Sequence, residues 1–192
     1  NGSSWTNITD EPSGSNGYGS AGADTEDALF FGGTPVQGIT RYWNGSSWTV
    51  GGALSTARNN LTGAGATYTS ALAIGGSTGG TNRSANVEQY NGSSWTEITD
   101  LNTARTGLSG SGEATSALAY AGDTPPATGA TESWNGSAWT ETGDLNTARA
   151  YGMATGAGPD NESALMAGGS PETAASEEFV SPTTSTVTFT VS

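Results

Sequence analysis

Residues 91–105 read NGSSWTEITDLNTAR and residues 135–149 read NGSAWTETGDLNTAR. The same phrase opens at Asn1 and Asn44, so four units follow one another at a spacing in the range of propeller blades. Within each unit four segments recur in fixed order. The first is the turn and strand that carries Trp5, Trp48, Trp95 or Trp139. A loop follows that ends in Ala-Arg at Arg58, Arg105 and Arg149, ten residues after the Trp. A glycine-rich segment comes next, with Gly22, Gly65, Gly112 and Gly156 in register. The unit ends in an apolar strand closed by glycine: ALFFGG at 28–33, ALAIGG at 71–76, ALAYAG at 117–122 and ALMAGG at 164–169.

After a variable stretch each unit reaches a charged residue and an aromatic: Arg41 and Trp43, Glu88 and Tyr90, Glu132 and Trp134, Glu177 and Phe179. Asn-Gly then turns the chain into the next Trp strand, a strong hairpin signal because both residues tolerate positive φ. Aromatic and Trp are thereby expected to face each other across paired strands. Four short strands per unit follow from this reading, with the glycine-rich strand innermost, where blades crowd an axis and a Cβ has no room. A phosphate cradle would need a following helix and a Lys, and the sequence offers neither.

The chain has 5 basic residues, all Arg, against 18 acidic ones, for a net charge of −13. Such a surface disfavours nucleic acid and anionic lipid. No apolar run approaches bilayer length, so membrane insertion is not expected. The absence of Cys excludes disulfides, thiolate metal ligands and a thiol nucleophile, and the absence of His removes the commonest general base and catalytic zinc ligand. No cofactor and no metal centre are expected. Since the sequence opens on Asn rather than Met, it is expected to be a piece, the C-terminal one, of a longer polypeptide.

The glycine doublet, aromatic, turn, Trp and LNTAR-like loop resemble the kelch repeat, and the wording NGSSWTEITDLNTAR with SALA…GG is similar to kelch-like arrays of tail-fibre and other virion proteins of marine bacteriophages. The resemblance spans nearly the whole chain and implies a β-propeller of four-stranded blades. The expected fold is therefore an all-β, four-bladed β-propeller over residues 1–180, followed by an extension at 181–192 whose TSTVTFTVS reads as one more strand. Because the chain starts on an outer Trp strand and ends after three inner ones, the N-terminal strand is expected to pair beside Phe179 in the last blade and close the ring.

Repeats with Arg58, Arg105 and Arg149 carry Glu88, Glu132 and Glu177, whereas the unit with Ser15 at the Arg position carries Arg41 at the Glu position. This exchange predicts Arg–Glu pairing, since a buried guanidinium needs a partner; the intervening strand, about 10 Å across, stands against it. The four Trp, three Arg and three Glu are read as structural. Binding is placed instead on the loops that differ between units, with candidates Thr34, Gln37, Thr81, Asn82, Arg83, Asp123, Thr124, Glu172 and Thr173.

The resemblance implies a non-enzymatic adhesion module on a virion or in the extracellular space, presenting these loops to a host-surface glycan or protein, as a homo-oligomer or part of a larger fibre. A purely structural virion or filament subunit is the alternative. A glycan hydrolase built on paired carboxylates among Asp24, Glu26, Asp27, Asp160 and Glu162 is a third, and the same acidic loops are weak candidates for Ca²⁺.

Overall fold

The computed structural model describes residues 4–12, 14–154 and 160–181. The protein is all-β, with four small antiparallel sheets arranged as a four-bladed β-propeller and no helix among the described residues. Blade 1 comprises β1 (Asn16–Asp24), β2 (Asp27–Thr34), β3 (Thr40–Trp43) and β4 (Trp48–Val50) in that spatial order. Blade 2 holds β5 (Thr62–Thr67), β6 (Ser70–Ile74), β9 (Val87–Tyr90) and β10 (Trp95–Glu97), with a small ribbon, β7 (Ser77–Gly79) and β8 (Asn82–Arg83), projecting from its connection. Blade 3 holds β11 (Ser109–Glu113), β12 (Ser116–Tyr120), β13 (Thr131–Trp134) and β14 (Trp139–Glu141). Blade 4 has three strands, β15 (Met153–Ala154), β16 (Ser163–Ala167) and β17 (Ser176–Val180).

The glycine-rich strands are the inner ones, as the sequence predicts. Backbone hydrogen bonds join them in sequence: Asn60 N–H donates to Gly17 O, Gly107 N–H to Asn60 O, and Tyr151 N–H to Gly107 O. Gly63 shows why glycine is required. A Cβ there would lie inside contact distance of Ser20 O and 2.7 Å from Phe31 Cζ, on the neighbouring blade. Gly156 and the strand expected at 184–192 lie outside the described residues.

The hydrophobic core lies between blades. Leu29 and Phe31 of blade 1, with Leu54 of the connection that follows it, meet Ala71, Ala73, Tyr90 and Trp95 of blade 2. Leu72, Ile74, Val87 and Leu101 meet Ala117, Ala119, Trp134 and Trp139 in the same way, and Leu118, Tyr120 and Leu145 meet Ala164, Met166 and Phe179. Central strands such as β6 are covered on both faces, which is why SALAI reads as a continuous small-apolar run instead of an alternating one.

Each Trp pairs with the aromatic across its hairpin: Trp48 with Trp43, Trp95 with Tyr90 and Trp139 with Trp134. The turns work differently from the expectation of positive φ at both Asn and Gly. Only Gly45, Gly92 and Gly136 have positive φ, at 87°, 91° and 91°. Asn44, Asn91 and Asn135 act through their side chains, whose Oδ1 accepts the backbone N–H groups two and three residues on at 2.9–3.1 Å.

The expected closure of the last blade by the N-terminal strand is not what the structure holds. Among the described residues blade 4 is three-stranded, residues 4–12 contain no strand, and Trp5 is fully exposed. The physical reason lies on blade 1, which holds this segment on its outer side. Trp48 Nε1–H donates to Thr9 O at 3.0 Å, and Arg41 pairs with Glu11 at 3.0 Å.

Candidate functional site

The Ala-Arg loops form the posts of one face. Arg58 and Glu88 are completely buried, and Arg58 Nη2–H donates to Glu88 Oε1 at 2.9 Å. The geometric objection to this pairing is met by the path of the side chain. Arg58 precedes the inner strand and passes over the end of the second, where its Nη1 donates to Gly75 O and Asn86 O at 2.7 Å each, before reaching the third. Glu88 Oε2 accepts Ser55 N–H at 2.7 Å, so one carboxylate also fixes the loop.

Arg105 and Glu132 repeat the arrangement at 2.8 Å, with Glu132 Oε2 accepting both Asn102 N–H and its side-chain amide. Arg149 and Glu177 do so at 3.0 Å, with Asn146 and Thr147 on the carboxylate. Burial lowers the pKa of Arg58 and Arg105, and the paired Glu88 and Glu132 charges oppose that shift. At Glu177 burial works upward, but hydrogen bonds from Asn146 and Thr147, together with Arg149, hold the carboxyl below its usual range. The swapped unit obeys the same logic with its signs reversed, since Arg41 on β3 meets Glu11 from the preceding segment.

These posts raise a polar depression of ≈ 350 Å³ on the loop face, within the usual size range of small-ligand pockets. Four of the loop candidates meet in its lining: Thr81, Asn82, Arg83 and Asp123. Arg83 bridges two blades there, donating from Nε to Asp123 O at 3.1 Å, from Nη2 to Asp123 Oδ2 at 2.5 Å and from Nη1 to Thr81 O at 2.6 Å. Its charge is therefore neutralised in place, and the rim is stiffened.

The other five candidates do not line the depression. Thr34 Oγ1 accepts Asn59 Nδ2–H at 3.0 Å and so orients that side chain from outside. Gln37 donates to Ser15 Oγ, Thr124 donates to Pro126 O, and Thr173 Oγ1 accepts Ala175 N–H. Glu172 is exposed in the blade 4 loop.

The wall of the depression is built from residues that the loop comparison passed over: Asn59, Asn60, Thr106 and Tyr151. Asn59 Oδ1 and Thr106 Oγ1 are buried there without a hydrogen-bond partner. Tyr151, 54% exposed, lays its ring over Gly107, where a Cβ would collide with it. A signal for these residues exists in the sequence. The pair directly after the recurring Ala-Arg is Asn-Asn, Thr-Gly or Ala-Tyr, so the repeat changes abruptly at the point where the chain enters this wall.

The acidic loop residues act as turn caps. Asp24 Oδ1 accepts Glu26 N–H, Asp160 Oδ1 accepts Glu162 N–H, and Asp27 Oδ1 accepts Tyr68 N–H from the next blade. Among the described residues no group of three or more carboxylates converges as a metal site would. No helix of the described residues is long and apolar enough to cross a membrane. Neither a protein-family model nor a curated protein matches the chain.

Proposed function

We propose that the chain is a non-enzymatic adhesion module of a virion or similar extracellular appendage, a kelch-like propeller that binds a host-surface glycan in the loop-face depression. The observation that carries this reading is the pair of buried, unpartnered atoms, Asn59 Oδ1 and Thr106 Oγ1, beside the exposed ring of Tyr151. Buried polar atoms without partners are costly, and ligand hydroxyls that displace the groups covering them and pair with them would remove the cost. A sugar offers hydroxyls on its edge and an apolar face for the tyrosine ring. With Arg83 neutralised by Asp123 and a net charge of −13, the ligand class favoured is a neutral glycan.

The test is a glycan array followed by titration of the best ligand against Tyr151→Ala and Asn59→Ala. Each substitution is expected to weaken binding about tenfold or more, the equivalent of about 1.4 kcal/mol or a lost hot-spot contact. Glu172→Ala, outside the depression, is expected to leave binding unchanged. Glycan binding that survives both substitutions, or no binding to any neutral glycan, refutes the reading. The alternative of a structural subunit draws support from a different place, the exposed Trp5 and the last blade, three-stranded among the described residues.

A further inference from the structure

In blades 2 and 3 the Trp of the outer strand does not merely cap its own blade. It reaches back to the preceding one. Trp95 packs at a tilt against Tyr90 of its own blade at 4.8 Å between ring centroids, meets Phe31 of blade 1 at 4.8 Å and donates its Nε1–H to Thr40 Oγ1 at 2.8 Å. Trp139 of blade 3 donates to Thr99 O of blade 2 at 3.2 Å. Each socket is therefore made by two blades and filled by a Trp from the following Asn-Gly hairpin.

Blade 4 has the socket and lacks the Trp. Trp95 touches Phe31, Tyr90 and Thr40 and shares its core cluster with Leu54, Ala71 and Ala73, among others. Their counterparts two units on are Tyr120, Thr131, Leu145, Ala164, Met166 and Phe179, and all six line one half-open cleft of ≈ 70 Å³ beside β17. The outer edge of β17 has no strand beside it among the described residues.

The matching plug is at the other end of the molecule. Trp5 stands in the same NGSSWT phrase as Trp48 and Trp95 and is fully exposed. Its segment is already held to blade 1 as an outer segment of a preceding blade would be. Thr9 O accepts Trp48 Nε1–H as Thr99 O accepts Trp139 Nε1–H, and both Thr residues lie four positions after their Trp. One folded chain thus presents a plug and a socket of the same joint that do not meet within it.

We infer that the cleft of blade 4 is a docking site for the Trp5 segment of a second copy of this chain, which adds the missing fourth strand to β17 and joins copies head to tail. Such an interface is heterologous, so it either closes into a ring of copies or propagates as a filament. Strand addition at an open edge supplies the backbone hydrogen bonds, and the buried Trp acts as the anchor. The registers of the complete blades fix the geometry. Trp48 faces Trp43 and Thr49 faces Tyr42, so Trp5 is placed opposite Phe179 and Thr6 opposite Glu178.

Because the sequence contains no Cys, the register can be tested by cross-linking. One chain carries Thr6→Cys and a second, of different tag length, carries Glu178→Cys; both positions are exposed. The mixed chains under mild oxidation are expected to give a disulfide-linked heterodimer, and the doubly substituted chain a ladder of multimers. Adding Trp5→Ala is expected to abolish the link and to raise the association midpoint in sedimentation about thirtyfold or more, with Trp5→Phe partly restoring it. A doubly substituted chain that links only to itself would show that the ring closes within one molecule and overturn the proposal. So would a link that forms only after residues 182–192 are deleted, which would make that tail the occupant, and so would the absence of any link.

Discussion

Replacing Glu132 with Ala tests the physics of the loop posts most directly. The carboxylate is 2% exposed, lies 2.8 Å from Arg105 Nη2 and accepts two hydrogen bonds from Asn102. Arg105 is wholly buried, so Ala at 132 leaves a guanidinium with carbonyl partners but no counter-charge. Breaking a buried pair in this way costs about 3–5 kcal/mol. For a chain of this size that corresponds to a fall in Tm of roughly 6–20 °C. Glu11→Ala is the internal control, because the Arg41–Glu11 pair keeps 11% and 22% of its side chains exposed, so solvent compensates part of its loss and it should cost less than the fully buried pair. Replacing both partners, Arg105→Met with Glu132→Leu, should recover most of the loss, since an apolar pair needs no counter-charge. Melting followed by tryptophan fluorescence reads all three, and the reasoning fails if Glu132→Ala costs no more than Glu11→Ala.

Gly63→Ala would place a methyl against Ser20 O and Phe31 and should cost about 1–3 kcal/mol by overpacking, whereas Gly143→Ala, with nothing within 4 Å, should lie within about 0.5 kcal/mol of the parent by urea unfolding. Asn91→Ala removes the hydrogen bonds that set one hairpin and should lower stability by about 1 kcal/mol, with Asn91→Asp retaining most of it because its carboxylate accepts the same N–H groups. The Glu177 carboxyl is held below its usual value in the folded chain, so its contribution is complete above the ordinary carboxylate range and is lost as pH falls through the lowered folded value. The Tm gap between the parent and Glu177→Gln should therefore shrink on acidification from pH 6 to pH 3, and a gap independent of pH would remove the carboxylate from the account.

The architecture is readable wherever a residue type has only one physical use. Glycines at inner positions, small apolar strands covered on both faces, and Trp opposite an aromatic each point to the same blade. The Arg–Glu posts are readable as well, because the unit that lacks the Arg also changes the sign of its partner at Arg41. The depression is only half legible. Thr81, Asn82, Arg83 and Asp123 stand in loops of visibly different length and composition, but Asn59, Thr106 and Tyr151 sit one or two residues after an Ala-Arg pair that recurs unchanged in three units. Their grouping depends on inner strands from three blades converging on one end of the fold, which no local pattern encodes. The mechanism of the Asn-Gly turn was legible in outcome only. Both a positive-φ asparagine and an acceptor side chain predict a hairpin, and the structure uses the second.

The misplacement of Trp5 has a more general origin. Because each Trp fills a socket made by its own blade and the one before, the stabilising unit of this array is not the sequence repeat but the joint between consecutive repeats. Four repeats in a row contain three such joints, each with its own buried apolar cluster. The third, between blades 3 and 4, is the one from which the Trp is missing, and its cluster retains only the lining. Counting sequence words predicts a complete wheel, since the Trp that follow an Asn-Gly turn, Trp5, Trp48, Trp95 and Trp139, are as many as the blades. Following the joints shows instead that the Trp numbered first belongs to a blade other than blade 1, and that blade 1 holds only its exit segment at Thr9 and Glu11. A surface substitution on a blade should then be nearly silent, whereas any change to a Trp or its socket should act on two blades at once.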